Sequence, residues 1–439
     1  MRDKSASDST SRTTAAALDP ASRALIARRE SVLGPAYRLF YEQPLHLVRG
    51  EGVWLYDPDG HAYLDAYNNV ASLGHAQPDV VQAIATQSAT LVTHTRYLHD
   101  GVLTLAERLL ARMPREMGHV MFTCTGSEAN DLAYRIARTA TGHQGVIVTE
   151  LAYHGVTQSV AEFSPSLGAG MPLGAHVRTV RAPDGYRGDP SVAIAFAAGV
   201  RAAAEDLARA GYGLAMFIVD SIFSSDGVYA DPPGFLAPAV AAARDAGGLY
   251  VADEVQPGFG RTGDAFFGFE RHGVIPDLIT LGKPMGNGYP VAAMAARPEH
   301  LERFGREARY FNTFGGNPVA AAAGNAVLDV IEREQLVTHA ADVGAYLQAG
   351  LRALAERHEA IGDVRGAGLF IGVELVSDRG TRAPDRALAT RVVNALRQRR
   401  VLLSASGPGG NVLKIRPPLA FQRAHADLLL TALDEVLPA

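Results

Sequence analysis

The chain has 439 residues, 47% of them hydrophobic, and a formal net charge of −5 at pH 7. That is enough apolar sequence for a large core and two or three domains, and a mildly acidic chain with no basic stripe is no nucleic-acid binder. The 14 histidines are scattered without a pair at metal-ligand spacing, so no metal is expected, and the single cysteine, Cys124, excludes an intrachain disulfide and fits a reducing, cytoplasmic compartment.

The chain opens on "MRDKSASDSTSRTTAAALDP". This stretch lacks the apolar core of a signal peptide and reads as a mobile tail over residues 1–20. "PASRALIARRESVLGP" reads as a short helix closed by Gly-Pro. "GVWLYDPDGHAYLDAY" shows two strand-like runs around Asp-Pro-Asp-Gly, a hairpin signal. From Pro78 the texture changes. Helical stretches such as "HDGVLTLAERLLARM" alternate with the apolar runs "HVMFTC", "GVIVTE", "LAMFIVD", "GLYVAD", "DLITLG" and "VAAMAA". Apolar runs spaced by helices predict an α/β layer with a mostly parallel sheet. The uncharged run Phe311 to Leu328 is too short and too broken to span a bilayer and reads as a buried alanine-rich helix. Beyond it come long helices and the strand candidates "GLFIGVELV", "RVLLSA" and "NVLKIRPPL". The expected division is a large α/β domain over 78–328 and a smaller α+β domain from both chain ends, 21–77 plus 329–439.

In a parallel α/β sheet, ligands bind beyond the carboxyl ends of the strands. "GLYVAD" delivers Asp253 there, a carboxylate that is costly to bury unless it meets a cation or a strong donor. "HVMFTC" delivers Thr125, Gly126 and Ser127 before a helix from Glu128 to Arg138, and a helix N-terminus with small residues suits a phosphate. "GVIVTE" delivers "LAYHG", with Tyr153 and a histidine before a glycine. "DLITLG" delivers Lys283 among Gly282, Gly286 and Gly288, followed by Pro284. The proline is expected to hold Lys283 extended, and the glycines let the chain turn close to a ligand. Such a lysine suits Schiff-base chemistry if its surroundings lower its pKa. A phosphate cradle, an aromatic plate, a carboxylate for a protonated ring nitrogen and an amine for an aldehyde together point to pyridoxal 5'-phosphate.

"DEVQPGFGRTG…PDLITLGKPMGNGYPVAA" resembles the class III, or omega, aminotransferases of the fold-type I pyridoxal phosphate enzymes, and the resemblance runs from about Gly34 to the C-terminus. It implies a two-domain subunit with active sites shared in a homodimer, with a tetramer as the larger alternative. By matching motif, Lys283 is the Schiff-base lysine, Asp253 holds the pyridine N–H, and Gln256 hydrogen-bonds near the ring hydroxyl. Gly126 and Ser127, with the hydroxyl of Thr125, bind the phosphate. Tyr153 stacks on the ring, and Thr313 in "YFNTFGGNP" reaches the phosphate of the neighbouring subunit's cofactor.

Several stretches resemble one branch of the family, the ethanolamine-phosphate and hydroxylysine-phosphate phospho-lyases. These are "GKPMGNG", "APDGYRG", "TRYLHD", "YNNVASLGH" and "RVLLSASGPGGNVLKIRPPL". The implied reaction eliminates phosphate from O-phosphoethanolamine or a related phosphorylated amine. The alternative is an omega-aminotransferase that moves an amino group from an amine or β/ω-amino acid to pyruvate or glyoxylate. Asp220-Ser221 stands where the transaminases commonly have Glu-Pro, which puts their dual-substrate switch in doubt. Arg416 stands where the animal lyases carry lysine. In transaminases an arginine there clamps an α-carboxylate, and a substrate phosphate would suit it equally. Lys414, assigned to the opposite face of the same strand, ranks below it.

Overall fold

The computed structural model describes residues 18–188 and 191–438. The expected mobile tail therefore lies, up to residue 17, outside the described residues. Its last residue, Pro20, already opens the helix Pro20–Leu33, capped by the Asp19 carboxylate accepting from Ser22 N at 2.9 Å.

Among the described residues, seven strands form the large sheet. Their spatial order is His119–Thr123, Ala292–Ala296, Leu278–Leu281, Leu249–Asp253, Leu214–Val219, Gly145–Thr149 and Val177–Val180. The last five run parallel, and Ala292–Ala296 is antiparallel to both its neighbours. Four of these strands are buried at every position between Gly145–Thr149 and Leu278–Leu281, which is why they read as unbroken apolar runs. Side chains alternate between two faces. Met216 and Ile218 pack with Leu132 and Ile136 of the helix Gly126–Thr141, while Phe217 and Val219 pack with the helices Val192–Arg209 and Ala237–Asp245. All six expected runs are strands. Val177–Val180 was not expected, because at the sheet edge it carries Arg178 and Thr179 between its two valines.

The expected hairpin pairs Trp54–Tyr56 with Ala62–Asp65. Its turn is held by Asp57, whose Oδ1 accepts from Asp59 N at 3.1 Å and His61 N at 2.9 Å. The run "RVLLSA", expected as one strand, divides at Leu403. Val401–Leu402 joins the hairpin in parallel on Ala62–Asp65, and Ser404–Ser406 joins the antiparallel sheet of Val412–Ile415, Phe370–Asp378 and Ile361–Ala367. Segments from near both chain ends thus meet in one sheet. The boundary expected at Leu328 falls inside the helix Pro318–Arg333, whose Ala320, Ala321 and Ala323 are buried as expected. No helix of the described residues is long and apolar enough to cross a membrane.

Candidate active site

A cavity of about 150 Å3 opens beyond the carboxyl ends of the parallel strands. It brings together six of the residues expected to hold the cofactor: Gly126, Ser127, Tyr153, Asp253, Gln256 and Lys283. It adds Asn130, His154, Gly155, Asp220 and Val255.

Lys283 follows the strand Leu278–Leu281 and begins a short 3-10 turn, Lys283–Gly286. The expectation that Pro284 holds it extended is wrong. Its φ is +23°, outside the extended region. Proline disfavours the right-handed helical region for the residue before it, and the chain turns here through positive φ instead. Such a conformation in a non-glycine residue costs about 1–3 kcal/mol and persists only where the surroundings enforce it. The surroundings are tight. A Cβ on Gly282 would lie 3.4 Å from Gly126 Cα, and one on Gly286 would meet Val291 Cγ1 at 2.6 Å. The Lys283 amine is pushed down to about 8, first by burial and then by the charge of Arg416, against the pull of Asp253 and Asp220.

Asp253 ends the strand Leu249–Asp253. Its Oδ2 accepts from Asn130 Nδ2 at 3.0 Å and lies 2.7 Å from His154 Nδ1, while Oδ1 accepts from Val255 N at 3.2 Å. Asn130 is fixed in turn, donating to His154 O at 2.7 Å and accepting from Thr280 Oγ1 at 2.7 Å. Neither Asn130 nor His154 was assigned a role from sequence. The histidine of "LAYHG" was visible but patternless. Asn130 sits one helical turn past Ser127, and that i,i+3 spacing was its only signal.

The helix Gly126–Thr141 starts on a capping box. Thr125 Oγ1 accepts from Glu128 N at 3.1 Å, and the Glu128 carboxylate takes Thr125 N at 2.9 Å and its hydroxyl at 3.1 Å. That engages the Thr125 hydroxyl, and Thr125 does not line the cavity. Gly126 and Ser127 do, and first-turn N–H groups have no acceptor within their own helix. Ser127 Oγ accepts from Val156 N at 3.1 Å, and a Cβ on Gly155 would strike that oxygen at 2.4 Å. The small residues therefore shape a concave wall of backbone donors. Tyr153 stands at its rim, 40% exposed.

The next residues of the motif fasten the site to the rest of the chain. Glu254 is fully buried and accepts from Gly268 N, Phe269 N and Ser221 Oγ, and burial pushes its carboxyl up to about 8. Gln256 Nε2 donates to Ser224 Oγ, and its Oε1 accepts from Arg416 at 2.6 Å. Arg261 is buried against the carbonyls of Leu369 and Pro417. Arg416 also donates to Asn69 Oδ1 at 2.8 Å and lies 4.3 Å from the centre of the Tyr67 ring. It does not meet Asp220, whose two oxygens accept from Ile222 N and Ser224 N.

Lys414 does not face away from Arg416. Residues two apart on a strand share a face, and Lys414 is buried and within electrostatic reach of Arg416, Asp220 and Lys283. Thr313 stands apart from the cavity, exposed on a loop next to Phe314. That loop is tied to the cradle through Asn312, which donates to Glu128 Oε1 at 3.2 Å.

The family model described as aminotransferase class-III matches residues 40–437. The chain belongs to the class-III aminotransferase family. Among members of known description, it is 43% identical over 428 residues to an alanine–glyoxylate aminotransferase 2-like protein of Drosophila melanogaster, covering 94% of this chain and 87% of the other. It is 39% identical over 434 residues to ethanolamine-phosphate phospho-lyase homolog 1 of Caenorhabditis elegans, covering 94% and 93%. A solved structure, a phospholyase from Arthrobacter in complex with phosphoethanolamine, superposes with a TM-score of 0.91 at 46% identity, covering 94% of this chain and all of that one. The fold is that of the fold-type I enzymes, and the cofactor of the class-III chain is pyridoxal phosphate.

The residues present fit that cofactor. A buried amine of lowered pKa and a fixed carboxylate line the same cavity, and the wall of small residues has no room for a Cβ at Gly155. Lys283 would hold the aldehyde, Asp253 a protonated ring nitrogen, and the Gly126–Ser127 turn the phosphate. When bound, the group supplies an aldehyde and an electron-withdrawing ring.

Proposed function

We propose that the chain is a phospho-lyase that converts O-phosphoethanolamine, or a related phosphorylated amine, and water into acetaldehyde, ammonia and phosphate. The observation that carries this reading is the state of Arg416. It is buried, has no carboxylate partner among the described residues, and is held by Asn69 and by Gln256, which itself lines the cofactor cavity. An arginine in that state awaits an anion from outside the protein. The Arthrobacter phospholyase with phosphoethanolamine bound supports the choice of a phosphate ester.

The side chains divide the work as follows. Lys283 Nζ, unprotonated in part near pH 8, takes the proton from the carbon that bears nitrogen. Asp253 keeps positive charge at the far end of the cavity, and its two neighbours Asn130 and His154 keep it aimed. Cations at the leaving group favour departure of phosphate over return of the proton. The test is to incubate the pure holoenzyme with ethanolamine phosphate and no keto acid. Phosphate and acetaldehyde should appear together. An inert ester, with full cycling of a simple amine only after pyruvate or glyoxylate is added, would instead make the chain an aminotransferase. That second reading is favoured by its similarity to the Drosophila relative.

The reading includes a homodimer with shared sites, or a tetramer built from it, and a reducing cytoplasmic compartment, which the lone free thiol of Cys124 suits. The dimer is supported by an exposed apolar face beside the cradle. Leu98 is 98% exposed and Phe314 70%, next to a surface cavity of about 310 Å3 lined by His94, Tyr97 and Phe311. Thr313 lies on this face and would serve the neighbouring subunit's cofactor. Sedimentation should show an active species no smaller than two chains; a fully active monomer would remove Thr313 from the site.

A further inference from the structure

Around Arg416, every unmatched polar group is a donor. Arg416 Nε and Asn69 Nδ2 are buried without a hydrogen-bond partner, although Arg416 and Asn69 are themselves joined at 2.8 Å. Lys414 is more than nine-tenths buried. Among the described residues its amine has no hydrogen bond or ion pair, only the Phe370 ring at 5.7 Å from the centroid. The nearby carboxylates are turned elsewhere. Asp220 accepts from Ile222 N and Ser224 N, and Asp226 from Thr149 Oγ1 at 2.7 Å and Leu151 N at 3.1 Å. A buried ammonium without a partner is costly, and such groups are rare in proteins unless something binds them. A group that met these donors would be an acceptor, and two cations beside it favour an anion.

We propose that Lys414 is the second cation of an oxyanion subsite whose first cation is Arg416, and that this subsite takes the tetrahedral phosphate of the substrate. The identity of the anion rests on the phospho-lyase reading; the pairing of the two cations rests on their burial, their spacing along the chain and the lack of a carboxylate partner for either among the described residues. Lys414 lies on the strand Val412–Ile415 and Arg416 follows it directly, two residues on; both are buried, and each lies within electrostatic reach of the other. A carboxylate needs one bidentate arginine; a phosphate dianion gives both cations an oxygen. Burial and the charges of Arg416 and Lys283 hold the Lys414 amine well below its usual range, which a dianion beside it would reverse.

The experiment uses the holoenzyme, so that the cofactor's own phosphate already fills the cradle, and titrates inorganic phosphate and, separately, acetate by calorimetry. The variants are Lys414→Met, which keeps the stem and loses the charge, and Lys414→Gln in case the first does not fold. Wild type should bind phosphate more tightly than acetate. Either variant should weaken phosphate about ten- to hundredfold, as expected for a lost charge-assisted contact, change acetate little, and raise KM for the phosphate ester more than it lowers kcat. A merely structural lysine would lower the melting temperature and leave phosphate affinity alone. Equal phosphate affinity in a folded variant overturns the subsite, as does a wild type that binds acetate as tightly as phosphate. If ethanolamine phosphate is turned over while Lys414→Met binds phosphate normally, the subsite fails and the lyase stands. If nothing is turned over while phosphate binding depends on Lys414, the lyase fails and the subsite stands.

Discussion

Lys283→Ala should abolish the visible absorbance band of the bound cofactor and lower turnover by about a thousandfold or more. A positioned general base alone is worth roughly 10²–10⁴-fold, and in the proposed function this amine would also anchor the aldehyde. The variant should fold, because it removes a buried amine whose pKa is already forced down to about 8. Its melting curve in the absence of cofactor should therefore match or exceed that of the wild type. An apo-to-holo titration followed by turnover checks both halves. Normal turnover in Lys283→Ala would mean that the strained turn serves some other purpose.

The second large effect is expected at Asp253. In Asp253→Asn the shape is kept, and the side-chain oxygen can still accept from Asn130 and face His154. What is lost is the negative charge at the end of the cavity. Removing one preorganised electrostatic partner of a reacting system costs about 10²–10³-fold in kcat. The loss should fall on kcat rather than KM, if Asp253 serves the cofactor ring and not the substrate. The cofactor should still bind, with a shifted absorbance maximum as the ring nitrogen loses its proton. Activity within a few-fold of wild type would count against the site as built here.

Both residues were legible in the sequence for the same physical reason. A parallel strand covered on both faces is written as an apolar run, so the first polar residue after it is conspicuous and lies at the ligand end of the sheet. Asp253 and Lys283 end or follow such runs; the Gly126–Ser127 turn follows the half-buried edge strand His119–Thr123, which is apolar at its centre. The neighbours that aim them were not legible. Asn130 and His154 come from a helix and a loop and meet Asp253 only after folding. The sign of φ at Lys283 was misread because a proline rule restricts only what a local clash restricts. The orientation of Lys414 was misread despite a period of two that should have placed it beside Arg416. In the fold, the edge strand Val177–Val180 was hidden by its exposed arginine and threonine. The split of "RVLLSA" at Leu403 was hidden because both halves are equally strand-like, and only the partners decide where each goes.

The parallel pairing of Ala62–Asp65 with Val401–Leu402 sets a clock on biosynthesis. At roughly 5–20 residues per second, tens of seconds separate the emergence of the first strand from that of its partner. In that interval the hairpin has an open edge and no core of its own, and an isolated hairpin is marginal in water. The opposite edge, Arg49–Glu51, carries a charge of each sign, with Arg49 against the Tyr56 ring of the next strand, while the waiting edge is Ala62–Asp65. Charged edge strands discourage pairing with a neighbouring chain. The nascent protein thus leaves the ribosome with its first strands waiting for nearly its last ones, and a chain cut short before Val401 would keep that edge exposed for good.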